Sequence, residues 1–272
     1  MSSVNLKKNW EQVKPLVEHL YKSGLRLSKS ETITKSKLGG KPCVDEPSFQ
    51  WPYVDEVPLA FLAQLDLAEL NAAFRIDWLP ATGSLLFFYD VETMPWGFEP
   101  EDNQLWQVIY LAQAETEINF PNDLPQEFQF DGVYLTAIKS EQLPSLERAE
   151  AKALNLNEQQ AIAYEELSDR GLGEEPSHQV SGYPDSVQTD GMELECQLVS
   201  NGLSLDDGSA YQSEKAKKLE AGASDWRLLF QLDTDEDADM MWGDCGTLYF
   251  WIKEQDARAG DFSKTWLILQ CY

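Results

Sequence analysis

The apolar runs of this chain are short, and their length constrains the fold more than any other feature. Leu85 to Tyr89 and Leu248 to Ile252 are each five residues long, with Gly83 and Gly246 just upstream. Runs of this length between turn signals match buried strands, whereas a membrane-spanning helix needs roughly 20 apolar residues. Phe61-Leu-Ala-Gln-Leu65, Trp106 to Leu111, Phe128 to Ile138, Arg227 to Leu232 and Thr265 to Cys271 read as further strands. Asp131-Gly132 reads as a hairpin turn between Phe128-Gln-Phe130 and Val133-Tyr-Leu135. Met192 to Leu205 reads as strand, reversing through a type I′ turn at Ser200-Asn-Gly-Leu203.

Helical patterning is confined to three places. Trp10, Val13, Val17 and Leu20 recur at helical spacing around Pro15, where the helix begins or kinks, and Gly24 closes the segment. Its apolar face is expected to act as a lid on the main core. Residues 140–171 hold two short peripheral helices, the second N-capped at Asn157. Ser213 to Gly222 forms a third short helical stretch. The expected fold class is α+β, predominantly antiparallel β, with peripheral helices.

Several β blocks recur in order. Gly40-Lys-Pro42 matches Gly182-Tyr-Pro184, and Phe61-Leu-Ala-Gln-Leu-Asp66 matches Leu228-Leu-Phe-Gln-Leu-Asp233. Gly83-Ser-Leu-Leu-Phe-Phe-Tyr89 matches Gly246-Thr-Leu-Tyr-Phe-Trp-Ile252, and more weakly Trp106 to Tyr110 matches Trp266 to Gln270. Strands draw on the same few residue types, so shared texture alone produces single matches. Four blocks in one order point instead to two related halves, about 30–138 and 178–272, joined by a helical acidic segment 140–175 within one domain spanning 1–272.

With 47 Asp and Glu against 21 Lys and Arg, the chain carries a net charge of −26. Such a polyanion is repelled by nucleic acids and anionic lipid surfaces, so neither is an expected partner, whereas a basic protein is. Cys43, Cys196, Cys245 and Cys271 form no CxxC pair, which fits buried thiols in a reducing compartment and gives no local zinc signature. The opening residues lack a signal-peptide pattern, and a cytoplasmic location is expected.

Candidate site residues come from three patterns. Gln64 with Asp66, and Gln231 with Asp233, each place two polar groups on one face of an apolar strand. Such groups are exposed, hydrogen-bonded to a neighbouring turn, or gathered at a cleft between the halves. His178 precedes a tight turn whose backbone, Gly182 to Pro184, its ring can bond; as a general base it would need a partner nucleophile. Asp233, Asp235, Asp237 and Asp244 fall at positions one, three, five and twelve of an EF-hand-like loop, which makes calcium the one cofactor to consider. Ala238 replaces the glycine of that loop and Asp244 its longer glutamate, so a solvated acidic turn is the competing reading. The Gly-x-Ser-x-Gly, HExxH and P-loop signatures are absent, and Gly171-Leu-Gly173 lacks the third glycine of a dinucleotide fingerprint.

Ser36-Lys-Leu-Gly-Gly-Lys-Pro42, Trp51-Pro52, Pro58 to Asp66, Leu79 to Phe88, His178 with Gly182-Tyr-Pro184, Leu229-Phe-Gln-Leu-Asp233, Trp242 to Phe250 and Asp261-Phe-Ser263 together resemble the YwqG-like family. That bacterial family has no assigned function, and the resemblance implies a compact β-dominated α+β protein. Three functions then stand side by side. One is a non-enzymatic binding protein with an acidic surface for a basic protein, such as an immunity protein. The others are a small-ligand or cation-binding module and an enzyme with a dispersed carboxylate site.

Overall fold

The computed structural model describes residues 3–45, 49–172 and 176–272. Among these the strands are β1 (Lys22–Lys29), β2 (Lys37–Leu38), β3 (Cys43–Val44), β4 (Tyr53–Val54), β5 (Val57–Pro58), β6 (Ala60–Asp66) and β7 (Ser84–Tyr89). They continue as β8 (Trp106–Leu111), β9 (Thr116–Glu117), β10 (Val133–Gln142), β11 (His178–Val180), β12 (Trp226–Asp233), β13 (Thr247–Lys253) and β14 (Trp266–Gln270). The helices are α1 (Ser3–Val17), α2 (Leu67–Ala73), α3 (Ala149–Lys152), α4 (Glu158–Leu172), α5 (Met192–Val199), α6 (Glu214–Leu219) and α7 (Glu254–Ala259). No helix among the described residues is long and apolar enough to cross a membrane.

Ten strands form one antiparallel sheet in the order β14-β13-β12-β11-β1-β10-β2-β6-β7-β8. The pairs β3-β9 and β4-β5 are separate two-stranded ribbons. β6 and β7 are buried along their whole length, so both faces are apolar and simple alternation is lost. On one face Phe87 meets Phe230 and Phe250, from the other arm of the sheet, at ring separations of 4.8 and 5.0 Å. On the other face Leu86 and Phe88 pack with Val44, Leu59 and Phe61 beneath Phe49 and Trp51.

The sheet therefore curls until its two ends meet, giving a nearly closed, barrel-like form. Trp106 of β8 stands edge-on to Trp266 of β14 at 5.1 Å, and its Nε1 donates to the Thr265 carbonyl at 2.9 Å. The outer edge of β14 is covered by the segment around Gly97, where the Leu269 amide donates to the Trp96 carbonyl. A Cβ on Gly97, which has φ +79°, would lie 1.8 Å from the Leu267 carbonyl oxygen, so only glycine admits this approach.

The two arms share their register. Gln64 lies opposite Leu86 and Asp66 opposite Ser84; Gln231 lies opposite Tyr249 and Asp233 opposite Thr247. Each arm carries a bulge that begins three residues before its glutamine, between Phe61 and Ala63 and between Leu228 and Phe230. Laid over one another by these pairs, the arms place Gln107, which is opposite Phe88, on Trp266, which is opposite Trp251. The Trp106–Trp266 match expected from sequence is thus out by one residue, a slip that reverses every side chain's face.

Other expectations are corrected. Gly24 does not end a helix but sits inside β1, paired with Ser140, where a Cβ would come within 2.8 Å of the Ser181 carbonyl oxygen. Pro15 lies within α1, and Val13, Val17 and Leu20 pack with Ala151, Ala163, Tyr164 and Leu167 in a small separate cluster, not on the main core. Met192–Val199 is helix, and Gly202 ends it: Gly202 N bonds Val199 O and Leu203 N bonds Leu198 O, a Schellman cap in place of a hairpin. Asp131-Gly132 makes no hairpin, because β10 begins at Val133 and pairs with β1 and β2. The Asn157 cap is present, reciprocated by Gln160.

Candidate functional site

The two glutamine–aspartate pairs are not brought together, since β11, β1, β10 and β2 lie between β12 and β6. Their local roles differ. Gln64 accepts the Cys43 amide at 2.8 Å, tying the Gly39–Val44 turn to the sheet. Asp66 caps α2 by accepting the Glu69 amide at 2.9 Å, while its own amide donates to Ser36 Oγ at 3.0 Å. The Glu69 carboxylate in turn accepts the Lys35 and Ser36 amides. Gln64 and Asp66 are 1% and 7% exposed, and neither lines a cleft among the described residues.

The other end is open. Gln231 Oε1 accepts from Gln179 Nε2 at 3.0 Å and from the Asp185 amide at 2.9 Å, and its Nε2 donates to the Ser177 carbonyl at 2.7 Å. Gln142 Nε2 donates to Gln179 Oε1 at 2.7 Å, and Gln142 Oε1 accepts the Tyr183 amide at 2.9 Å. A buried chain of three glutamines thus fixes residues 177–185 against the sheet. Asp233 Oδ2 accepts the Ser177 amide at 2.8 Å, and Oδ1 accepts from the Thr234 amide and the Thr247 hydroxyl, each at 2.9 Å.

His178 holds the loop that follows. Its Nδ1 accepts the Asp233 amide at 3.1 Å, so the ring proton is on Nε2, which donates to Asp235 Oδ2 at 3.0 Å. The expected bonds to Gly182–Pro184 are not made. His178 takes the place that Ser36 has in the other arm, one residue before the partner of the glutamine, and each receives the aspartate amide. At 2% exposure with both ring nitrogens engaged, His178 has no lone pair for a general base. Burial pushes the Asp235 carboxyl up, but hydrogen bonds from His178 and the loop amides outweigh it, leaving its pKa below the ordinary carboxylate value.

Above this framework lies a cleft of about 570 Å³. Asp185, Asp233, Asp235, Glu236 and Asp237 line it, with Ser177, Ser186, Thr247 and the Cys245 thiol; no Lys, Arg or His does so among the described residues. The loop at its rim is a turn capped by Asp235, whose Oδ1 accepts the Ala238 amide, and closed by the Asp235–Met240 bridge. Asp237 pairs with Lys29 at 2.5 Å, and Asp244 lies outside the cleft lining. Among the described residues no three His, Cys, Asp or Glu side chains are grouped as a metal ion requires.

Asp185, Ser186, Cys245 and Thr247 were not singled out as site residues from sequence, because they join the cleft only through the β12–β13 register and the glutamine chain. No curated protein matches the chain. The family model described as a domain of unknown function (DUF1963) matches residues 36–271, and the chain belongs to that family.

Proposed function

We propose that this is a non-enzymatic binding protein whose acidic cleft receives a cationic side chain of a basic protein partner, in the manner of an immunity protein. The observation that carries the reading is the cleft lining, whose five carboxylates outnumber the cations beside them, Lys29 on Asp237 and the buried Arg26 near Asp185. The −26 net charge attracts a basic partner at long range, and the cleft concentrates that field at one place. Commitment of both His178 nitrogens argues against acid–base catalysis at the same place. Four free cysteines support a cytoplasmic setting.

An internal duplication within one domain accounts for the shared register and the bulges at matched positions. On this reading the first copy's polar pair became structural and the second kept an open site. The quoted motifs, from Ser36 to Ser263, support membership of the YwqG-like branch. Titration of the labelled protein with a Lys- and Arg-rich peptide, followed by amide NMR, tests the binding reading. Shifts concentrated at Ser177, Thr234 and Thr247 support it; shifts spread evenly over the acidic surface contradict it.

A further inference from the structure

A lysine ammonium already stands on the rim of the acidic cleft, and it belongs to the chain itself. Lys29, the last residue of β1, places its Nζ 2.5 Å from Asp237 Oδ2 in the loop after β12, 208 residues away in sequence. The two backbones are anchored independently. β1 is held between β10 and β11, and just beyond it the Ser30 amide donates to the Tyr134 carbonyl. The loop is held by Asp235, which caps it and accepts from His178, and by the Asp131 amide, which donates to the Ala238 carbonyl. The Lys29–Asp237 pair therefore joins two segments that are already in place. Side chains alternate along a strand, so Lys29 shares a face of β1 with Leu25 and Leu27, which are in the main core. Arg26 is on the opposite face and donates to Ser177 Oγ in the cleft lining. Lys29 thus reaches Asp237 over the end of the sheet.

The cleft carboxylates are not equally available. Asp233 accepts the Ser177 amide on Oδ2 and the Thr234 amide on Oδ1, and Asp235 accepts from His178 on Oδ2 and from the Ala238 amide on Oδ1. These two are bound into the framework through both oxygens. Glu236 and Asp237 are exposed at the rim, where a carboxylate can turn towards an arriving cation. Lys29 neutralises one of the two. Its hydrogen bond to Asp237, together with that carboxylate's charge, holds the Lys29 ammonium above its ordinary pKa, so it stays charged at neutral pH. Both side chains are 58% exposed, and water competes for each partner of so open a pair. One cation can then be exchanged for another at little cost.

We propose that Lys29 is a resident competitor at the acidic cleft: a partner's ammonium or guanidinium gains Asp237 only by displacing it. The inference rests on the reading that the cleft takes a cationic side chain. Calorimetry with a Lys- and Arg-rich peptide against the wild type, Lys29→Met, Asp237→Asn and the double variant tests it. Lys29→Met is expected to bind the peptide about threefold tighter than the wild type, the scale set by an exposed ion pair. The same change made in Asp237→Asn should leave the affinity unaltered. In the wild type, the Lys29 ε-methylene NMR signal, assigned from Lys29→Met, should move towards its position in Asp237→Asn as the peptide saturates. Both residues are exposed, so an unchanged melting temperature is expected in every variant. Tightening of equal size with and without Asp237 would be a general charge effect and overturns the proposal, as does no tightening or an unmoved Lys29 signal. If Lys29→Met fails in one of these ways while Glu236→Gln/Asp237→Asn still weakens binding, only the competitor is lost. If that carboxylate variant binds like the wild type, the cleft reading falls with it.

Discussion

His178 donates its Nε2 proton to Asp235 at 3.0 Å while both side chains are shielded from water, 2% and 7% exposed. This bond joins β11 to the loop after β12, and Asp235 in turn caps that loop. The floor and the rim of the acidic cleft are therefore one hydrogen-bonded unit.

Removing either partner should cost more than the bond itself, because the other is left buried and unsatisfied. His178→Ala is expected to destabilise the fold by about 2–4 kcal/mol in urea titrations. Asp235→Asn adds a pH signature. The native carboxyl sits below its ordinary value of 3.8, so its stabilisation is present above that value and disappears as pH falls through the native pKa. The stability gap between wild type and Asp235→Asn should thus narrow below about pH 4; a gap that widens on acidification would contradict the assignment.

Gln231→Leu keeps the volume and removes one end of the glutamine chain. Gln179 Nε2, the Asp185 amide and the Ser177 carbonyl each lose a partner. A loss of roughly 2–4 kcal/mol is expected, with faster hydrogen exchange at Asp185. Gln64→Leu leaves the Cys43 amide alone and should cost less.

Gly97→Ala tests the covered edge of β14. The added Cβ meets the Leu267 carbonyl at 1.8 Å in a left-handed backbone, so the segment must lift away. A fall of more than about 3 kcal/mol in stability, with exposure of the Leu269 amide to exchange, is expected. Wild-type stability in this variant would show that the approach is dispensable.

The sequence carries the strand cores because burial on both faces leaves short apolar runs, as in Leu85 to Tyr89. It carries the Asn157 cap because that interaction is local. It misleads at Met192–Val199, where Met192, Leu194, Cys196 and Leu198 alternate with polar residues as in a strand until tertiary contacts choose helix. It misleads again at Asn201-Gly202, since the same left-handed glycine serves a hairpin or a helix cap. For the site, Gln231, Asp233, His178 and Asp235 were legible as polar groups out of place. Their bonding was not, because Ser177, Gln179 and Asp185 reach Gln231 and Asp233 only through strand pairing distant in sequence.

The central claim, that the acidic cleft takes a cationic side chain, is tested most directly by calorimetry with a Lys- and Arg-rich peptide against the wild type and the double variant Glu236→Gln/Asp237→Asn. Both positions are exposed at the cleft rim, so the fold should survive. An affinity loss of about tenfold, shrinking as salt is raised, is the expected result. Equal affinity in the two proteins would mean that the peptide reads the diffuse charge of the surface and that the cleft is not the site.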